Sequence, residues 1–167
     1  MTKFRHSKRR SEDKSRSASR LAVVQALYQM ELANQDSESA LNEFIDHRLG
    51  QEIEGEQYME ADKKYFAGLV RGVVEQQHDI DRAIARSVPK DWPFDRIDPI
   101  MRAILRSAAY ELMEQPDVPT RIVVNEYMHI ATAFFEDGEE NVFIGGVLNR
   151  LARDQRPAAD VEPAAGQ

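Results

Sequence analysis

At 167 residues the chain is long enough to bury a core as one domain, and with no cysteine it has no disulfide framework, thiol nucleophile or thiolate metal site. No apolar run approaches the roughly 20 residues that span a bilayer, and no apolar h-region follows the basic start, which excludes a secretory signal. The formal charge of −7 is unevenly spread: up to Arg20 there are eight basic residues against Glu12 and Asp13, a net of +6, and beyond it 14 basic against 27 acidic, a net of −13.

Such a chain is suited to touch a polyanion at one place while its body repels polyanions elsewhere. The absence of cysteine suits a reducing cytosol, and a cytoplasmic location is expected. An Arg- and Ser-rich start also has the composition of a mitochondrial transit peptide, the competing reading of the same segment.

Residues 1–15 are too polar to bury a face and are expected to form a flexible basic arm. From Arg16 the pattern turns helical, with Leu21, Val24, Leu27, Tyr28 and Leu32 spaced by threes and fours. Asp36 and Ser37 offer capping chemistry before a short second helix through Leu41, Phe44, Ile45 and Leu49. An acidic loop, Gly50 to Gly55, precedes a long third helix from about Glu60 to Arg86. Its stripe is Tyr65, Phe66, Leu69, Val70, Val73, Val74, Ile80 and Ile84.

Pro89 and Pro93 stop that helix, with Trp92 and Phe94 available to plug the turn. Asp98 then Pro99 is a strong helix start, a side-chain cap followed by a proline whose missing N–H costs nothing there. The fourth helix runs to about Glu114, a fifth opens at Pro119 and ends near Phe135, and a sixth spans about Glu139 to Arg153. Residues 154–167 read as a disordered Pro/Ala tail. With no sustained alternation and no hairpin signal, the expected fold is all-α, six or seven helices joined by tight turns, its folded domain spanning 16–153.

Two E-x-x-H pairs, Glu75 with His78 and Glu126 with His129, together with Glu31 and Glu111, have the residue types of a di-iron bundle. The helical wheel turns Glu75 and His129 away from the apolar stripes, so a solvated polar face is expected rather than a metal site. The serines cluster in the basic arm without a nucleophile elbow, and Gly145-Gly146 lies inside a helix, where it would permit close packing rather than cradle a phosphate. Neither an enzyme nor a bound cofactor is expected. The basic segment points to nucleic acid: Arg16 and Arg20 stack on one helical face, where guanidinium groups bind phosphates and stack on unpaired bases. Opposite the core face of the fourth helix, Arg102, Arg106, Tyr110 and Met113 form a ridge of the composition favoured at protein interfaces; a snorkelling surface ridge is the plain alternative.

The stretches ASRLAVVQALYQMEL, RAILRSAAYEL, DVPTRIVVNEYMHIATAFF and FIGGVLNRLAR resemble, in order and spacing, the bacterial transcription antitermination factors of the NusB family, from about Arg16 to Arg153. The resemblance implies two small packed helical bundles and a non-enzymatic RNA-binding factor without metal or cofactor. It implies binding of boxA-type single-stranded RNA in nascent transcripts, notably of ribosomal RNA operons, together with NusE, a small-subunit ribosomal protein. The pair would act with other Nus factors on RNA polymerase. By the same resemblance Arg16 and Arg20 contact RNA, with Lys14, Arg9 and Arg10 upstream and Phe143 in the last helix. The family's usual Asp-Ser-x-Lys-Phe-Val-Asn-Gly run reads EENVFIGG at residues 139–146. Glu139 keeps the acid, but Val142 and Gly145 replace the Lys and the Asn. The missing phosphate contact at Val142 is expected to be compensated by the arm. Met101 stands where an acid is common before Arg102, and with the ridge it marks the expected NusE contact. The same ridge could serve a homodimer; no membrane partner is expected. Two alternatives are the RNA-recruiting domain of a ribosomal RNA methyltransferase, which would need an α/β cofactor domain downstream where this chain has a Pro/Ala tail, and a helical adaptor that uses the ridge without RNA.

Overall fold

The computed structural model describes residues 2–49, 52–53, 56–57, 62–92 and 97–157. Among them are seven helices: α1 (Thr2–Ala33), α2 (Ser37–His47), α3 (Lys63–Glu75), α4 (Gln77–Ser87), α5 (Pro99–Glu114), α6 (Thr120–Phe135) and α7 (Glu139–Gln155). In and just after the expected acidic loop, β1 (Glu52–Ile53) pairs antiparallel with β2 (Glu56–Gln57), Glu52 opposite Gln57. The fold is all-α in two compact units, Met1–Val74 and Glu75–Gln167. Pro93 and Phe94, expected at the turn after α4, and residues 158–167 of the expected tail lie outside the described residues.

In the first unit α1 starts at Thr2 and not near Arg16. Nothing between Thr2 and Arg16 breaks a helix, and Lys8–Glu12 and Arg9–Asp13 are opposite charges four apart. The buried side of α1 is also rotated from the expected stripe. Ala22, Val23, Val24, Ala26 and Leu27 are buried, whereas Leu21 and Leu32 are exposed. Small Ala22 and Ala26 beside the valines make a face that packs closely on α2, so burial follows shape complementarity and not side-chain size alone. Opposite it lie Ala40, Leu41 and Phe44 of α2 and Phe66, Leu69, Val70 and Val73 of α3, with the Phe44 and Phe66 rings stacked 5.7 Å apart.

The α1–α2 turn places Asn34 at φ 50°, a left-handed conformation that asparagine tolerates. Asp36 then caps α2: its carboxylate accepts the Ser39 N–H at 2.9 Å and the Ser39 hydroxyl at 2.8 Å. These two hydrogen bonds hold its carboxyl below the usual aspartate range.

The expected long third helix is two helices. The chain leaves helical geometry at Gln76, φ −109° and ψ 19°, and the division between the two units falls beside it. The apolar spacing continues across this residue because each half supplies a buried face to its own unit: Phe66, Leu69, Val70 and Val73 to the first, Ile80, Ala83 and Ile84 to the second. Periodicity therefore carries no sign of the break.

In the second unit α5 is the central helix, packed on α4, α6 and α7. Three neighbours bury almost its whole circumference, including Met101, Ser107 and Glu111. Glu111, expected on a solvated face, is instead covered because α5 has a third neighbour. Asp98 caps α5 through the Ile100 N–H at 2.8 Å with Pro99 in the first turn, as expected. In the core the Ser107 and Tyr127 hydroxyls share a hydrogen bond. Helix α7 runs to Gln155, and Arg156 follows it as a clamp. Its guanidinium donates to the carbonyl oxygens of Glu111, Leu112, Gln115 and Val118 and to Thr120 Oγ1. The α6–α7 turn holds Glu136 at φ 54°. Asn141 Nδ2 donates to the Glu136 carbonyl and, at 3.3 Å, to Thr132 Oγ1.

The expected close packing at Gly145-Gly146 is not present. A Cβ on Gly145 would meet Met128 at an ordinary 3.6 Å, and one on Gly146 would meet nothing within 4 Å.

Candidate nucleic-acid interface

The site is built where α1 meets the start of α3. Asp62 caps α3 by accepting the Tyr65 N–H at 2.9 Å. The backbone of the same residue clasps α1: its N–H donates to the Ser15 carbonyl at 3.3 Å, and its carbonyl accepts the Ser19 hydroxyl at 2.8 Å. The cap and the clasp fix Tyr65 against α1. The Arg16 guanidinium then lies 4.7 Å from the Tyr65 ring centroid and that of Arg20 5.5 Å from it. Both are within cation–π range of one ring. Arg20 also donates to the Tyr65 hydroxyl at 3.4 Å.

Arg16 and Arg20 thus share a face, but their environments differ. Arg16 is exposed, whereas Arg20 is buried, with only 2% of its surface exposed. Arg20 stands three and seven residues before Val23 and Leu27, at the head of the buried stripe of α1. Upstream, Lys8, Arg9, Arg10 and Lys14 are exposed along α1. Tyr65 is the functional candidate that pattern reading misses, because its spacing assigns it to the α3 core stripe; the signal is its place one turn after a capping aspartate.

In the second unit Phe143 is half-buried, its ring 5.2 Å from that of Trp92, and Glu139 is exposed. Trp92 is half exposed and Val142, standing where the family pattern carries a lysine, is 78% exposed. Along α5 the ridge charges are engaged inside the unit. Arg106 pairs bidentately with Asp81 at 2.8 and 3.0 Å, and Arg102 donates to the Ile97 carbonyl at 2.6 Å. Tyr110 and Met113 are half-buried and Met101 is buried.

Of the histidine and glutamate pairs, Glu75 ends α3 while His78 lies in α4, so they do not share one helix. Glu31, His78 and His129 are exposed or half-buried at the surface, and among the described residues no three His, Asp or Glu groups gather as metal ligands.

Residues 17–153 match the NusB family. The chain belongs to the NusB family. Its relatives include the transcription antitermination protein NusB of Caulobacter vibrioides, 49% identical over 84% of this chain and 94% of the relative. That of Sinorhizobium fredii is 47% identical over 84% and 88%. Among solved structures, T. maritima NusB is 30% identical with a TM-score of 0.69, covering 83% of this chain and 91% of that one. A complex of the antitermination factors NusB and NusE with dsRNA has the same fold, with a TM-score of 0.70 at 18% identity over 84% and 97%.

As a NusB family member the chain is a transcription antitermination factor and not an enzyme. The match extends over most of each NusB relative, and these are antitermination proteins rather than methyltransferases. No helix among its described residues is long and apolar enough to cross a membrane.

Proposed function

We propose that this chain binds boxA-type single-stranded RNA in nascent transcripts together with NusE, and acts in the cytoplasm with other Nus factors on RNA polymerase. The observation that carries the reading is the Arg16–Tyr65–Arg20 stack at the end of an exposed basic helix. An aromatic ring beside two guanidinium groups, one of them exposed, offers both phosphate binding and an aromatic surface for unpaired bases. Arg16 reaches the RNA, and Arg20 holds Tyr65 in place beneath it. Phe143, with Trp92 against it, supplies a second aromatic surface. Residues 1–15 serve as an arm and 16–153 as the RNA-binding domain.

NusE meets the α5 ridge through Tyr110 and Met113, with Arg102 and Arg106 held by their intramolecular partners; a homodimer would compete for the same ridge. The solved NusB–NusE–dsRNA complex of the same fold supports this assembly.

The test is a titration of boxA-type RNA with and without NusE at two salt concentrations. Binding that is strengthened by NusE and weakens steeply with salt is the expected result. Binding indifferent to salt, or equal for boxA and mixed-sequence RNA, rejects the reading.

A further inference from the structure

The family match ends at residue 153, and Arg156 lies beyond it, half-buried after the last turn of α7. Its guanidinium reaches oxygens from Glu111 to Thr120. Nη2 donates to the Glu111 and Gln115 carbonyls at 3.1 and 2.7 Å, and Nε to that of Leu112 at 3.0 Å. Nη1 donates to the Val118 carbonyl and to Thr120 Oγ1. A planar fork with fixed donor directions holds such a set in one arrangement, which a compact ammonium group does not. The Glu111 and Gln115 carbonyls already accept the Gln115 and Val118 N–H groups. For those two the guanidinium adds rigidity rather than satisfying a bare acceptor.

What is made rigid adjoins the α5 ridge. Glu111 and Leu112 are the two residues between Tyr110 and Met113, and Gln115 and Val118 belong to the turn that follows. Pro116 and Pro119 stiffen this turn further by fixing φ. Val118 is buried, while Glu114, Pro116, Asp117 and Pro119 are exposed. The ridge therefore runs on into a stiff turn that shows two carboxylates. A surface ordered before binding avoids the entropy cost of ordering on contact. A small-subunit ribosomal protein binds ribosomal RNA and is accordingly basic, the charge that exposed carboxylates complement.

We propose that Arg156 is a positioning residue for partner binding: it holds the end of α5 and the turn 115–119 so that Tyr110, Met113, Glu114 and Asp117 meet a basic protein as one preordered patch. The inference rests on the NusE reading of the ridge above. It adds the turn to that ridge and gives the segment beyond the family match a part in partner affinity.

The experiment titrates NusE onto the full chain and onto its variants Arg156→Ala, Arg156→Lys, Asp117→Asn and Tyr110→Ala, at a temperature where circular dichroism shows each of them folded. Arg156→Ala is expected to weaken NusE binding about tenfold. Arg156→Lys, which keeps the charge but not the fork, should weaken it nearly as much. Asp117→Asn, which touches none of the clamp's hydrogen bonds, should weaken it about threefold at low salt. Binding of boxA-type RNA without NusE should stay within about twofold in both Arg156 variants, because the Arg16 and Tyr65 site belongs to the other unit and shares none of these hydrogen bonds. A clamp that only stabilises the fold lowers the melting midpoint and leaves the affinity of the folded chain unchanged. That result, full affinity with lysine, full affinity of Asp117→Asn, or an equal loss of NusE and RNA binding overturns the proposal. Failure of the underlying ridge reading looks different: Tyr110→Ala would bind NusE as the wild-type chain does, and the proposal would fall with it.

Discussion

Arg16 and Arg20 show how two identical residues one turn apart acquire different tasks. Arg16 leaves part of its guanidinium open beside the Tyr65 ring, and Arg20 is drawn beneath by the buried stripe that it heads. A buried guanidinium keeps its charge and is stabilised by what it touches, here the ring face and the Tyr65 hydroxyl. Substituting Arg16→Ala should lower RNA affinity about tenfold, the effect of removing one charge-assisted hydrogen bond to phosphate, with little change in thermal stability. Arg20→Ala should instead remove about 2 kcal/mol of stability, because it deletes both the cation–π interaction and the packing of the arginine stem. Paired melting curves and RNA titrations separate the two; equal reductions in stability would contradict the division of roles.

At the scale of elements, the ends and joints of the second unit are held by single side chains. The last carbonyls of a helix lack the usual donors within it, and Arg156 donates to those of Leu112 in α5 and Val118 in the turn that follows, and adds a second donor to Glu111 and Gln115, which also accept the Gln115 and Val118 N–H groups. Removing it takes a charged donor from four carbonyls at once, of which Glu111 and Gln115 keep a backbone N–H. Arg156→Ala is expected to cost about 2–3 kcal/mol, on the order of one or two charged hydrogen bonds after rehydration, read as a lower urea midpoint; an unchanged midpoint would show that solvent replaces the clamp at no cost. The α6–α7 joint holds the opposite kind of feature, a backbone conformation that favours glycine at Glu136. Glu136→Gly should raise stability by about 1 kcal/mol, the order of the strain relieved. A lower melting temperature would mean that the greater chain entropy of glycine in the unfolded state outweighs it.

At the scale of the whole molecule, the division of charge at Arg20 becomes a division of surfaces. The +6 segment belongs to one long helix leading to Tyr65, and the acidic remainder includes exposed Glu139 and Glu140 beside Phe143. Much of this was legible in residue order. The all-α class, the caps at Asp36 and Asp98 and the bounds of α5 and α6 follow from local rules, because a cap or a proline acts within one turn. The family was legible too, since four segments kept their order and spacing. What pattern could not supply depends on neighbours distant in sequence. The break at Gln76 is silent because both halves keep the same apolar period. The burial of Glu111 and Met101 reflects the number of helices around α5, which no wheel drawn on α5 alone contains. The clamp by Arg156 joins it to Thr120, 36 positions away. The sequence by itself determined the helices, their caps and the sign of charge at each end, because propensity, capping and charge are properties of short segments. Only the tertiary structure decided that Arg16 stays open while Arg20 is buried against Tyr65, because that depends on which face of α1 the rest of its unit covers.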